Sequence, residues 1–85
     1  MRHFASPAFW KHYHALPKEI QHQANKAFAI LKSNPRHPSL CFEKKGKGWS
    51  ARVSQGYHAL ARERAEGLVW IWIGSHDEYE RSING

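Results

Sequence analysis

A single cysteine, Cys41, is all that this chain offers to disulfide chemistry, so no internal bridge can form and a reducing compartment is expected. No apolar run approaches the roughly 20 residues that cross a bilayer. The opening Met1-Arg2-His3-Phe4 leads into polar sequence rather than the apolar core of a secretory leader. A cytoplasmic protein with no membrane partner is therefore predicted. Acid is scarce too: 7 Asp and Glu stand against 13 Lys and Arg, a formal net charge of +6. On so small a body that excess implies an anionic partner, nucleic acid first and an acidic protein segment second. Repeats, low-complexity tracts and linkers are missing, and one domain over residues 1–85 is expected. Metal-ligand spacing is missing as well. His12 and His14, two apart on a helix, face different directions, and Cys41 has no CxxC partner. No phosphate-binding glycine motif or acyl-transfer triad is found, so neither metal nor cofactor is expected.

Aromatic residues are plentiful. Four Trp, four Phe and three Tyr can supply the core of a small domain, since each buried ring removes about 150–250 Å² from water. Ser6-Pro7 pairs an N-cap with a first-turn proline and predicts a helix from Pro7 to Ala15. Leu16-Pro17 breaks it, because the residue before proline is pushed out of the α region. Pro17 opens a second helix to Ser33, with Ile20, Ala24, Ala27, Phe28 and Leu31 on a 3.6-residue stripe. Asn34-Pro35 ends it.

From Leu40 the period changes to two. Strands are predicted at Leu40–Lys44, Trp49–Val53, Tyr57–Arg64 and Leu68–Ile73, joined by glycine-bearing turns. Such short links make neighbouring strands antiparallel. The expected fold is α+β, two N-terminal helices on one face of a curved four-stranded antiparallel sheet. Val69, Ile71 and Ile73 are expected to face the helices, against Phe28 and Leu31.

Three groups of residues are candidates for chemistry. Lys44, Lys45 and Lys47 form a lysine-rich turn whose glycines let backbone approach a phosphate. Arg52, His58 and Arg62 lie on the polar sides of the middle strands by alternation. His76 and Tyr79 follow the last strand, with Asp77, Glu78 and Glu80 beside them. Cations, imidazoles and a phenol on one open sheet face suit phosphodiester cleavage, which needs a base, an acid and positive charge around phosphorus. The remaining histidines, His3 among them, are expected at the surface. Trp70 and Trp72 are expected in the core, unless an indole faces the groove and stacks on a base.

The order of these segments adds more. Trp49-Ser50-Ala51-Arg52-Val53, Gly56-Tyr57-His58-Ala59-Leu60 and Ile73-Gly74-Ser75-His76-Asp77-Glu78-Tyr79 resemble the RelE/ParE superfamily of bacterial toxins over nearly the whole chain. The resemblance implies a microbial RNase-like fold. For RelE-type members it implies cleavage of mRNA on the ribosome, held in check by a cognate antitoxin. For the ParE branch it implies inhibition of DNA gyrase without cleavage, and a relative that binds RNA or the ribosome without cutting is a third alternative. Arg52 falls at a basic position of the second strand. His58 and His76 stand where RelE-type chains carry arginine, and Tyr79 matches a terminal tyrosine. On this reading Lys44, Lys45, Lys47 and Arg62 hold RNA phosphates and Arg52 stabilises the transition state. His58 and His76 transfer protons, and Tyr79 orients or stacks on the scissile nucleotide.

Overall fold

Proline and serine punctuate the helical half as expected. A computed structural model describes residues 2–84, apart from the side chains of Tyr79 and residues 82–84. Helix α1 spans Pro7–His14, and its Ser6 cap accepts a hydrogen bond from the Phe9 N–H at 3.1 Å. Helix α2 runs over Lys18–Ser33 and buries Ala24, Ala27 and Leu31. Phe28, expected beside Leu31 in the core, is 41% exposed. Among the described residues no helix is long and apolar enough to cross a membrane.

The sheet has five strands where four were expected. The additional strand, β1 (His3–Ala5), pairs in parallel with residues Leu68, Val69 and Trp70. Its length hid it: three residues are too few to show alternation. The other strands are β2 (Glu43–Lys45), β3 (Gly48–Ser54), β4 (Tyr57–Arg64) and β5 (Gly67–Ser75). They are antiparallel, in the spatial order β1-β5-β4-β3-β2. Strand β2 starts later than the predicted Leu40, because Pro38–Leu40 winds into a 3-10 turn. The His37 ring accepts from the Ser39 N–H at 3.2 Å, and Cys41 takes left-handed backbone at φ 44°. Beyond β5 the chain forms a third helix that the sequence reading did not predict, α3 (His76–Asn84).

One irregularity decides which residues of β5 face where. Leu60 pairs with Trp72 but Ala61 pairs with Trp70, so Ile71 is an extra residue in the ladder, a β-bulge. Leu68, Trp70 and Ile73 therefore share the helix-facing core with Ala51, Ala59, Ala61, Ala24, Ala27 and Leu31. Of the predicted inward trio only Ile73 points in. Val69 and Ile71 do not, because strict alternation from Ile73 ignores the bulge. Alanines at 51, 59 and 61 leave room for the Trp70 indole, which is 4% exposed. Its N–H donates to His3 Nδ1 at 3.1 Å, satisfying the one polar atom it buries. His3, expected at the surface, is thus partly buried against Trp70 and Phe28.

Candidate functional site

The same bulge sets up the opposite face of the sheet. Counting on from it, Trp72 and Gly74 fall on the side opposite the buried core, where the Trp72 ring lies 6.4 Å from that of His12 on α1, and His76 follows them onto that side. Gly74 sits across from His58, and His58 across from Arg52. His58 Nε2 lies 3.0 Å from His76 Nδ1, with ring centroids 5.1 Å apart. His76 Nε2 in turn lies 3.0 Å from Glu80 Oε1, one turn further along α3.

Local sequence fixes His76 at two points. Its N–H donates to the Gly56 carbonyl, 2.6 Å away, in the β3–β4 turn, where Gly56 adopts φ 82°. Ser75 caps the helix: its Oγ accepts from the Glu78 N–H at 3.3 Å and donates to Glu78 Oε1 at 3.2 Å. Next to this pair the Trp72 indole lies flat over Gly74. A Cβ at position 74 would come within 2.5 Å of Trp72 Cζ2, so glycine keeps the indole against the strand. Trp70 is core as expected, whereas Trp72 is half-buried on the opposite side, its ring over Gly74 and 6.4 Å from that of His12.

The charges that act on His58 from the sheet and α3 disfavour its protonation. Partial burial lowers its pKa below the ordinary 6.5, and His76, Arg52 and Lys45 push it in the same direction. The shift favours the neutral imidazole. Lys45 leans on Glu43 at 3.4 Å while contributing its charge to this corner.

The predicted cations do not all gather here. Arg62 shares the open face with His58 but lies further along β4, across from Gly48. Lys44 points to the helix side, where its Nζ is 3.5 Å from Glu63 Oε2. Glu63 also accepts from the Trp49 indole N–H at 3.3 Å. Lys47 is exposed in the turn between β2 and β3. Tyr79 belongs to α3, but its side chain lies outside the described residues. By sequence Glu80 is only one of several acids near the strand end. The Ser75-x-x-Glu78 capping pattern was the signal that would have placed His76 and Glu80 one helical turn apart. Among the described residues no three His, Cys, Asp or Glu side chains form a metal-ligating group.

No protein-family model matches the sequence, and none of the curated proteins compared with it matches either. Solved structures do. A chain of the RelB–RelE antitoxin–toxin complex from Methanococcus jannaschii superposes with a TM-score of 0.70 and 12% identity. That match covers 93% of this chain and 96% of the other. A YoeB/ParE toxin from Agrobacterium tumefaciens gives 0.65 at 19% identity, over 89% and 99% of the two chains. The isolated E. coli RelE toxin gives 0.61 at 15% identity, over 96% and 94%. The chain has the RelE/ParE fold.

On this RelE/ParE scaffold the open sheet face offers an imidazole shifted toward the neutral form, a second imidazole in contact with it, two cations and an indole. A neutral imidazole accepts a proton, and Arg and Lys stabilise charge developing on a phosphoryl oxygen. An indole gives a base a surface to stack on. The set suits general acid–base chemistry on a nucleic acid backbone.

Proposed function

We propose that this chain, as a single RelE/ParE-like domain, is the toxin of a type II toxin–antitoxin pair and cleaves mRNA on the ribosome. The observation that carries this reading is the contact of 3.0 Å between His58 and His76, beside Arg52 and Lys45, on the sheet face opposite the buried core. In this mechanism the histidine pair takes the proton of a 2′-hydroxyl as that oxygen bonds to phosphorus. The protonated pair then returns a proton to the 5′ oxygen as its bond to phosphorus breaks. The products are a 2′,3′-cyclic phosphate and a 5′-hydroxyl. Arg52 bears on the extra negative charge, while Lys45, Lys47 and Arg62 hold flanking phosphates. Lys44, paired with Glu63 on the other face, contributes least. Tyr79 orients or stacks on the scissile nucleotide.

The partner that restrains this activity is a cognate antitoxin. The fold is shared with a chain crystallised as an antitoxin–toxin complex, which supports that partner. Action on the ribosome places the protein in the cytoplasm, and no metal or cofactor takes part. Controlled expression in a bacterial host tests the reading, with protein and DNA synthesis followed after induction. Translation stops first if the proposal is right. Replication stopping first, with mRNA intact, would favour a ParE-like inhibitor of DNA gyrase.

A further inference from the structure

The contacts of His76 extend the proposed site by one residue. Glu80 Oε1 lies 3.0 Å from His76 Nε2, and His76 Nδ1 lies 3.0 Å from His58 Nε2, so three side chains form one continuous chain of hydrogen bonds. We propose that Glu80 is a positioning residue, which fixes the tautomer of His76 and through it directs His58 to accept the substrate proton at Nδ1. This rests on the reading of His58 and His76 as the proton-transfer pair.

The chemistry of the donors leads to that order. A carboxylate only accepts, so the Nε2 of His76 facing Glu80 carries hydrogen. In neutral His76 the lone pair is then on Nδ1, which accepts from His58 Nε2–H. Neutral His58 is left with its lone pair on Nδ1. When His58 gains a proton there, its Nε2–H is already aligned on His76, and the new positive charge is felt by Glu80 through one imidazole. The arrangement has the logic of an acid–histidine pair in hydrolases, with a second imidazole in place of a hydroxyl.

Charge balance supports the same role. His58 faces His76 from α3, Arg52 from β3 and Lys45 from β2, all of them cations or potential cations. Glu43 already leans on Lys45. Glu80 is an acid in direct contact with the histidine pair. A His–Glu pair four apart on an exposed helix also has a bland role in helix stability. That role would not extend to the state of His58, on another element.

The test compares wild type, His58→Gln, Glu80→Gln and Glu80→Ala in single-turnover cleavage on programmed ribosomes across pH 5 to 9. Nitrogen-15 spectra of the imidazoles in the free proteins are recorded alongside. The relay predicts that both Glu80 variants cut about 10- to 100-fold more slowly, short of the loss in His58→Gln. It also predicts that the acid limb of the pH–rate profile moves in them, because an anion near the pair is gone. In wild type at high pH, Nε2 of both histidines should carry hydrogen, and in Glu80→Ala this order should be lost. Unchanged rates and profile with wild-type cleavage intact would overturn the relay and leave the functional reading standing. A wild type that never cuts overturns that reading, and the spectra alone then decide the relay: hydrogen on Nδ1 of His76 refutes it.

Discussion

His58 and His3, in different parts of the molecule, are both shifted toward the neutral form by their surroundings. Burial is the first cause for each; His76, Arg52 and Lys45 add to it at His58, and the amino terminus and Lys32 at His3. Both pKa values lie below 6.5 in the folded chain, so the unfolded chain binds more protons as pH falls through that range. The stability these groups contribute is fully present above the unfolded value and is lost as pH falls through the folded ones. Urea denaturation should therefore give midpoints that fall as pH is lowered from about 7.5 to about 5. His58→Gln should flatten part of that slope. A midpoint that rises on acidification would contradict the assignment. Arg52 and His58 were legible as site candidates because alternation along short strands puts them on the polar side. The state of His58 was not legible, because it depends on three charges that the fold brings from β2, β3 and α3.

At the scale of elements, helix α3 matters most, because it carries His76 and Glu80. Its only described cap is Ser75, through the paired contacts with Glu78. Ser75→Ala should cost about 1 kcal/mol of helix stability. Faster amide exchange confined to α3, with cleavage reduced while the sheet stays protected, is the expected result. Unchanged exchange in α3 would show that the Gly56 contact alone holds His76. The two N-terminal helices were readable because Ser6-Pro7, Leu16-Pro17 and Asn34-Pro35 mark their ends. Helix α3 is not predicted although Ser75-His76-Asp77-Glu78 fits a capping box, since in a segment this short and polar Tyr79 and Ile83, four apart, are too few to establish a helical period. Strand β1 is too short to show a period. The Ile71 bulge is the element of greatest consequence, because it turns Trp72, Gly74 and His76 to the open face, and no residue type marks it. A strand of branched and aromatic residues reads the same with or without one extra residue, so register comes from the neighbouring strand.

Taken whole, the molecule is a small basic body with net charge +6, whose cations are divided between two faces. Lys45, Arg52 and Arg62 belong to the open face and Lys44 to the other. RNA binding should fall with salt, and Lys45→Ala should reduce the slope of log affinity against log salt by roughly one unit. Lys44→Ala should change it less, and equal effects would argue against a single RNA-binding face. An acidic antitoxin segment covering Arg52 and His76 would show the same salt dependence. The central claim is that the histidine pair and Arg52 cut RNA. The direct measurement is single-turnover cleavage of mRNA on programmed ribosomes by wild type, His58→Gln, His76→Gln and Arg52→Ala, each checked for folding by circular dichroism. Wild type should cut. The histidine variants should lose about 10²–10⁴-fold, and Arg52→Ala about 3 kcal/mol of transition-state stabilisation. Wild type that leaves ribosome-bound mRNA whole, or histidine variants that cut at the wild-type rate, would contradict the account.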